Sequence, residues 1–276
     1  MQTRIGESSS VAIVDTPGFD DTERSDAEIL TLITSFLMTQ YQLGIPLKGV
    51  IYLHRITDPK MQGHALRNFR MFERICGDNA LSNVVLLTTM WDKLRDEVEG
   101  LNRDQELRED FWSLMEEKGS YIARSDGSKE MAEAMIAMLL EKDSVVLEIQ
   151  RELHEKKRLH ETAAGQIMLP ELQSRMSETD EYIRSLEARI REAERQRDKA
   201  QAESLEKQRR AARDQRRRDE VERRKLEARI AGETEEKIRE AKKKSRWQSG
   251  IQIFVTVTGV AVSIVANLLP LFGFGI

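Results

Sequence analysis

The chain has 276 residues, of which 33% are charged and 5% are aromatic, so it can hold one domain of ordinary size and an extended region. The formal net charge of -4 excludes the strongly basic balance of proteins that bind nucleic acid through bulk charge. Cys76 is the only cysteine, which excludes an intrachain disulfide, and residues 1–10 lack the apolar run of a secretory signal.

Residues 1–145 predict an α/β domain. Three short, nearly continuous apolar runs rich in β-branched residues are typical of strands buried on both faces of a parallel sheet, and they occupy 11–14, 47–54 and 83–89. Between them, the segments 26–44 and 63–77 each place apolar residues on one helical stripe and end at glycine. This alternation of strands and helices predicts a doubly wound parallel sheet.

Residues 146–246 predict a helical region. Glu, Arg, Lys, Gln and Ala dominate it, and all five are good helix formers. The apolar residues that could form a coiled-coil seam near its start are Ile183, Leu186, Ile190 and Ala193. We therefore expect one long helix that self-associates in parts of 171–246 and is solvated elsewhere. The basic run 207–218 has no interleaved aromatic residues, so nucleic-acid binding is not expected.

Residues 247–276 contain no charged side chain. Their apolar stretch before Pro270 has roughly 20 residues, about the length of a helix that crosses a bilayer core. Basic residues and Trp247 come directly before it, as is typical of a cytoplasmic flank. A hydrophobic C-terminal helix is therefore predicted, with 250–270 as a tail anchor at the cytoplasmic face of a membrane. The alternative is a helix that packs on a partner or inserts only partway, in an otherwise cytoplasmic protein.

An acidic turn, Asp15-Thr16-Pro17-Gly18, follows the first predicted strand. A carboxylate at the C-terminal end of such a strand points into the crevice where ligands bind, and its oxygen suits Mg²⁺. Proline stiffens the turn, and Gly18 leaves its N–H accessible to a phosphate. Asp15 is therefore a candidate metal ligand, and Asp15, Thr16 and Gly18 are candidate nucleotide contacts. An ordinary turn is the alternative.

A second polar run, Thr89-Met90-Trp91-Asp92, ends the strand at 83–89. GTP-binding proteins place Asn/Thr-Lys-x-Asp after this strand, and the carboxylate accepts hydrogen bonds from N1 and N2 of guanine. Thr89 and Asp92 match this pattern. Met90 replaces the lysine and can supply its apolar stem but not its charge. The alternative is a loop in which Asp92 caps the next helix.

The stretches "VDTPGFDDT", "GVIYLHRI" and "VVLLTTMWD", in this order, resemble the septin-like and avirulence-induced or immunity-associated group of P-loop GTPases. The resemblance covers residues 10–145 and implies an incomplete Ras-like sheet that binds GTP or GDP with Mg²⁺. It implies that Asp15 and Gly18 belong to the metal and γ-phosphate motif, that Asp92 contacts the base, and that Ser125 is a further base contact.

The sequence departs from this group in its phosphate-binding loop. The pattern G-x-x-x-x-G-K-[Ser/Thr] does not occur in the 276 residues, and the group's first strand would lie before residue 10. In the group's sheet that strand lies between those at 11–14 and 47–53. Without it, we expect these two strands to pair directly or to leave unpaired backbone groups. The chain as given is therefore expected to bind GTP weakly or not at all.

Two interpretations can explain G-domain motifs that occur without the phosphate-binding loop. The chain is either an N-terminally incomplete copy of a GTPase or a degenerate G-like domain kept for interaction. The first predicts a GTP-binding protein whose helix self-associates and whose tail reaches a membrane, with no catalytic residue assigned. The second predicts a non-catalytic, coiled-coil, membrane-associated adaptor.

Overall fold

The computed structural model describes residues 2–4, 10–19, 21, 23–58, 61–247 and 264–268. The strands are β1 (Gln2–Arg4), β2 (Ser10–Val14), β3 (Leu47–Arg55), β4 (Val84–Thr89), β5 (Tyr121–Arg124) and β6 (Ile264–Leu268). The α-helices are α1 (Asp26–Gln42), α2 (His64–Cys76), α3 (Glu97–Glu106), α4 (Ser113–Glu117), α5 (Lys129–Leu140), α6 (Glu148–His154), α7 (Ala163–Arg195), α8 (Lys199–Leu226) and α9 (Ile230–Trp247). A π-helical segment, Leu107–Trp112, joins α3 to α4. The chain is therefore α/β and mostly helical, with long helices in its C-terminal half.

The strands form one sheet in the order β1-β2-β6-β3-β4-β5. β3, β4 and β5 are parallel neighbours. β2 and β3 each pair antiparallel with β6, so β2 runs in the same direction as the three parallel strands. The C-terminal ends of four strands therefore face one edge of the sheet, where ligands bind in open α/β folds.

Helices cover both faces of the sheet. Val84 and Leu86 of β4 belong to the large core that also contains residues of α1, α2, α6 and α7. Val85, which points to the other face, packs in a second cluster with Met135 and Leu139 of α5. The burial on both faces that was predicted for this strand is thus confirmed.

A strand from the C-terminal segment lies between β2 and β3. β6 pairs with Ser10–Val14 on one side and with Leu47, Gly49 and Val50 on the other, so the facing backbone groups have partners. The prediction that β2 and β3 pair directly, or leave a gap, is therefore wrong. The predicted hydrophobic helix is also wrong for 264–268, whose Ile264 and Val265 are β-branched and suit a strand.

The rest of the predicted tail anchor, 248–263 and 269–276, lies outside the described residues. Among the helices in the ranges given above, none is both long and apolar enough to cross a membrane. Membrane attachment through 250–270 therefore stays a prediction.

The helical region folds into separate helices rather than the one long helix that was predicted. α7 ends where Arg197 adopts a left-handed backbone conformation, with φ of 59°. Asp198 then caps α8 by accepting a hydrogen bond from the backbone N–H of Gln201 at 2.9 Å. α7 and α8 form a hairpin whose apolar seam consists of Leu186, Ile190, Ala193, Leu205 and Ala212. The seam residues thus contact each other within one chain, and self-association through 171–246 stays a prediction.

The hairpin packs on the α/β part. Met168 of α7 and Leu226 of α8 belong to the same core as Leu30 of α1. At the surface, Nζ of Lys225 lies 3.1 Å from the carboxylate of Glu28. The core therefore continues across the boundary at residues 145 and 146 that the composition suggested.

Candidate functional site

The predicted site residues lie in loops at the edge where β2, β4 and β5 end. In chain order they are Asp15, Thr16 and Gly18 after β2, Thr89 and Asp92 at the end of β4, and Ser125 after β5. The structure thus brings all six to one edge of the sheet, although not to one point.

The turn after β2 is displaced along the strands from the loops after β4 and β5, which start nearly level because Thr88 is paired with Arg124. Val14 and Val50 both lie opposite Ile264, whereas β3 continues to Arg55, which is opposite Thr89. At about 3.4 Å per residue, β2 therefore ends about 17 Å before β3 and β4. The turn after β2 and the loop after β4 could contact opposite ends of an elongated ligand, but they could not enclose one small group.

The turn after β2 is open to solvent. Asp15 and Gly18 are exposed, and Thr16 is half-buried. A Cβ placed on Gly18 meets no atom within 4 Å, and its φ lies outside the left-handed region, so neither packing nor backbone conformation requires glycine there. The carbonyl of Gly18 accepts a hydrogen bond from the backbone N–H of Asp21 at 3.2 Å. Asp21 Oδ1 in turn accepts from two following backbone N–H groups at 2.7 and 3.0 Å, which shapes the path to α1.

Asp15 was predicted to bind a metal ion. Within the part of the chain that the structure describes, no group of three or more His, Cys, Asp or Glu side chains could hold a metal. Mg²⁺ in nucleotide sites is commonly held by one or two carboxylates together with phosphate oxygens and water. An exposed carboxylate at a strand end fits that role, and metal binding by Asp15 stays a prediction.

The loop after β4 presents Asp92 to solvent. Met90 has a left-handed backbone conformation with φ of 64°, and the Asp92 side chain is 69% exposed. Its carboxylate lies 2.8 Å from Nζ of Lys93, and this hydrogen bond lowers the pKa of Asp92, which is therefore ionised at neutral pH. The residue that caps α3 is Asp96, so the alternative role of Asp92 as a helix cap is wrong.

Two of the three predicted contacts that carry a hydroxyl, Thr89 and Ser125, are partly engaged with the backbone. Thr89 Oγ1 donates a hydrogen bond to the carbonyl of His54 at 3.3 Å and joins β4 to β3. Ser125 Oγ accepts from the backbone N–H of Gly127 at 3.2 Å. A hydroxyl is one donor and a double acceptor, so Ser125 can still donate to a ligand, and Thr89 can still accept.

A buried carboxylate, which no spacing pattern in the sequence indicates, lies under the loops after β4 and β5. Asp104 of α3 is fully buried. Its Oδ2 accepts from Arg124 Nε and Nη2 at 3.1 and 2.9 Å and from Arg108 Nε at 2.8 Å. Its Oδ1 accepts from Thr88 Oγ1 at 3.2 Å. Trp91 Nε1 donates to the same Thr88 hydroxyl at 3.0 Å, and the Arg124 guanidinium lies 4.9 Å from the centre of the Trp91 ring.

His54 and Arg55 end β3 between the two acidic loops. His54 is buried with its ring perpendicular to that of Trp112, at 6.1 Å between centroids. Burial lowers the pKa of His54, so its imidazole is neutral at pH 7. Arg55 is mostly exposed and lies 3.3 Å from the Asp58 carboxylate. Of these two residues, only Arg55 is open to a ligand.

A cavity of about 360 Å³ lies between the loop before α1, the start of α2 and the helical hairpin. Its charged lining residues are largely paired with one another: Arg67 contacts Asp26 and Glu171, and Arg175 contacts Glu222 at 2.8 Å. The cavity is therefore part of the contact between the hairpin and the α/β part, and none of the six predicted site residues lines it, although Phe19, which follows Gly18, does.

Comparison with protein-family models, with curated proteins and with solved structures finds no match for this chain. The sheet edge carries two exposed acidic loops, the turn after β2 and the loop after β4, which are displaced from each other along the strands. An ionised carboxylate there can accept hydrogen bonds from paired N–H groups, and the turn after β2 leaves room for an anionic group beside the exposed side chain of Asp15.

Proposed function

We propose that the C-terminal edge of the sheet binds a guanine nucleotide, as in the septin-like and immunity-associated G-domain proteins. The observation that carries the proposal is the placement of Asp92 and of the Asp15–Gly18 turn on one sheet edge, after strands whose ends are offset by about 17 Å. This stagger suits a nucleotide that lies with its base at the loop after β4 and its phosphates at the turn after β2.

At the base end, the Asp92 carboxylate accepts hydrogen bonds from N1–H and the N2 amino group of guanine. Lys93 is the present partner of this carboxylate, at 2.8 Å. Exposed ion pairs contribute little, so Lys93 is readily displaced by the base. Met90, held in the left-handed conformation, is 46% exposed and can cover one face of the base with its side chain.

At the phosphate end, Gly18 offers its backbone N–H and Asp15 contributes an oxygen to Mg²⁺. The group's phosphate-binding loop does not occur in the 276-residue sequence, so the base contacts supply most of the binding free energy. Two hydrogen bonds to a charged acceptor at ~2 kcal/mol each give ~4 kcal/mol, which corresponds to a dissociation constant of about 1 mM. Weak binding is therefore expected, and no hydrolysis is proposed.

The strand order also supports this proposal. In the Ras-like sheet order, the first strand lies between the strands that correspond to β2 and β3, and β6 occupies that position with the opposite direction. The other strands follow in the order expected for an incomplete Ras-like sheet, so we propose this finer fold assignment together with the function.

A second proposal is a membrane-associated adaptor that carries a nucleotide-free G-like domain. It is favoured by the length of α7 and α8, with 33 and 28 residues, and by their attachment to the α/β part through one continuous core. Light scattering of the full chain without nucleotide tests the oligomers that this role predicts. A strict monomer at high concentration would count against it, and vesicle flotation compared with a chain that ends at Ser245 tests the tail.

Ligand-observed NMR with the full chain tests the nucleotide proposal. We expect saturation transfer to GDP but not to ADP, and we expect Mg²⁺ to tighten GDP binding in the wild-type chain but not in Asp15→Ala. Asp110→Asn is a matched control because Asp110 is exposed and lies outside the site loops. Equal transfer to ADP would contradict base recognition. A Mg²⁺ effect that survives in Asp15→Ala would contradict the role of Asp15.

A further inference from the structure

We propose that Asp104 is a positioning residue that locks the loops after β4 and β5 into one arrangement and thereby sets selectivity for guanine. The selectivity part rests on the proposed function, whereas the locking rests on contacts within the chain. Asp104 itself is fully buried, so it acts through its neighbours and does not contact a ligand.

The Asp104 carboxylate joins the ends of two parallel strands. Oδ1 accepts from Thr88 of β4, and Oδ2 accepts twice from Arg124 at the end of β5 and once from Arg108 of the adjoining π-helical segment. A buried carboxylate is costly unless it is paired and hydrogen-bonded. Moving either strand end would therefore leave a buried negative charge with fewer partners, and the native arrangement of the two ends is favoured over the alternatives.

The contacts continue from Asp104 to the base-side carboxylate through Trp91. The Trp91 indole donates to Thr88 Oγ1 at 3.0 Å, and its ring lies beneath the Arg124 guanidinium. On the far side of Asp92, α3 approaches Leu94 so closely that a Cβ on Gly100 would lie 2.3 Å from Leu94 Cδ1. Asp92 is thus held between two anchored residues, although its own side chain is exposed.

The same carboxylate holds the loop after β5. Arg124 directly precedes Ser125, whose backbone N–H donates to the carbonyl of Thr88 at 2.7 Å. Both loops that are proposed to contact the base therefore meet at Thr88 and share Asp104. The neighbouring residue Arg103 donates to the carbonyls of Ile56 and Thr57 at 3.0 and 3.3 Å, which links the loop after β3 to the same helix.

Selectivity depends on this locking because guanine offers two donors to one carboxylate. Inosine lacks the N2 amino group, so a correctly placed Asp92 prefers GDP to IDP by one hydrogen bond, worth about 30-fold in affinity. A displaced Asp92 can still accept from N1–H but loses this preference. Asp104 therefore controls the GDP-to-IDP affinity ratio more than it controls the affinity for either nucleotide.

Hydrogen exchange of the full chain without nucleotide tests the locking. In Asp104→Asn, which keeps the shape but not the charge, amides of 89–94 and 124–128 should both exchange about tenfold faster or more. The Trp91 indole N–H resonance should shift in the same variant. Asp110→Asn, an exposed Asp on the segment after α3, should change neither. If the amides of either loop in Asp104→Asn exchange at the wild-type rate, the proposal is overturned.

The GDP-to-IDP affinity ratio, measured by ligand-observed NMR, tests the selectivity. In Asp104→Asn the ratio should fall about 30-fold, to near one, whereas a merely destabilised fold would lower both affinities equally and keep the ratio. An unchanged ratio overturns the selectivity role. If the wild type does not prefer GDP while the exchange result holds, the proposed function fails and the locking stands. Should Asp104→Asn not fold, Arg124→Lys, which loses the two-pronged contact but keeps the charge, gives the same readouts.

Discussion

Truncation of Leu186 to alanine tests whether α7 and α8 form a hairpin within one chain. Leu186 is fully buried and shares its cluster with Ile190, Leu205 and Ala212. Leu-to-Ala changes in a core cost about 2–5 kcal/mol, and a two-helix seam can partly collapse into the space left, so we expect ~3 kcal/mol. The hairpin should therefore open on the order of 100-fold more often in the variant.

Hydrogen exchange of the hairpin amides measures this opening locally. If the seam lies within one chain, protection is the same at about 1 μM and about 100 μM protein, because opening is unimolecular. If the seam instead joins two chains, the 100-fold change in concentration adds about 2.7 kcal/mol of protection. Wild-type and variant chains are compared at both concentrations.

Val221→Ala is the matched control for this measurement. Val221 lies on α8 but is 48% exposed, so its truncation should change the opening free energy by no more than about 0.5 kcal/mol. The hairpin account is refuted if protection rises with protein concentration. It is equally refuted if Leu186→Ala changes protection as little as Val221→Ala does.

Three further predictions concern the α/β part. Burial lowers the pKa of His54 below its usual 6.5, so the unfolded chain takes up that proton first as the pH falls. The free energy of unfolding therefore declines below about pH 6.5, by at most ~1.4 kcal/mol per pH unit, until the folded imidazole protonates. His54→Gln should flatten this part of the pH profile of urea denaturation, and an unchanged slope would count against the assignment. Cys76 is buried, and burial raises the pKa of its thiol far above the usual range, so iodoacetamide should modify it only when the chain unfolds. Rapid labelling of the folded chain would contradict the burial of Cys76. Gly18→Ala should change the free energy of unfolding by no more than about 0.5 kcal/mol, since the added Cβ meets no atom within 4 Å, and a larger loss would show that the turn is constrained.

The α/β part could be predicted because its elements carry local patterns. The apolar run at 83–89 became β4 at Val84–Thr89, and the amphipathic segment 63–77 became α2 at His64–Cys76. Such strands are buried on both faces, which makes them nearly continuous in apolar character. The exposed acidic motifs were found for a similar reason, since each directly follows a strand.

The position of β6 could not be predicted from local patterns. A β-branched apolar segment suits a buried strand as well as a membrane helix, and only its partners, β2 and β3, distinguish the two. The hairpin was missed because a seam through Leu186 looks the same whether the partner helix belongs to the same chain or to another. Its break at Arg197 involves no glycine or proline.

Asp104 was missed because its partners are distant in sequence. Thr88 and Arg124 lie 16 and 20 residues away, and the nearby pairing with Arg108 looks like an ordinary helix-surface ion pair. Burial of a carboxylate depends on where the strands end, which no spacing rule reports. The residues that position a site are thus harder to identify from sequence than the residues that would contact the ligand.

The most direct test of the nucleotide site is a change of base preference in Asp92→Asn. An asparagine can accept from N1–H with its carbonyl oxygen and donate to the C2 carbonyl oxygen of xanthine with its amide, whereas aspartate can only accept. We predict that the wild-type chain prefers GDP to xanthosine diphosphate by about 10-fold or more, and that Asp92→Asn reverses this preference. Equal affinities in the wild type, or a preference that Asp92→Asn leaves unchanged, would contradict base recognition at this edge of the sheet.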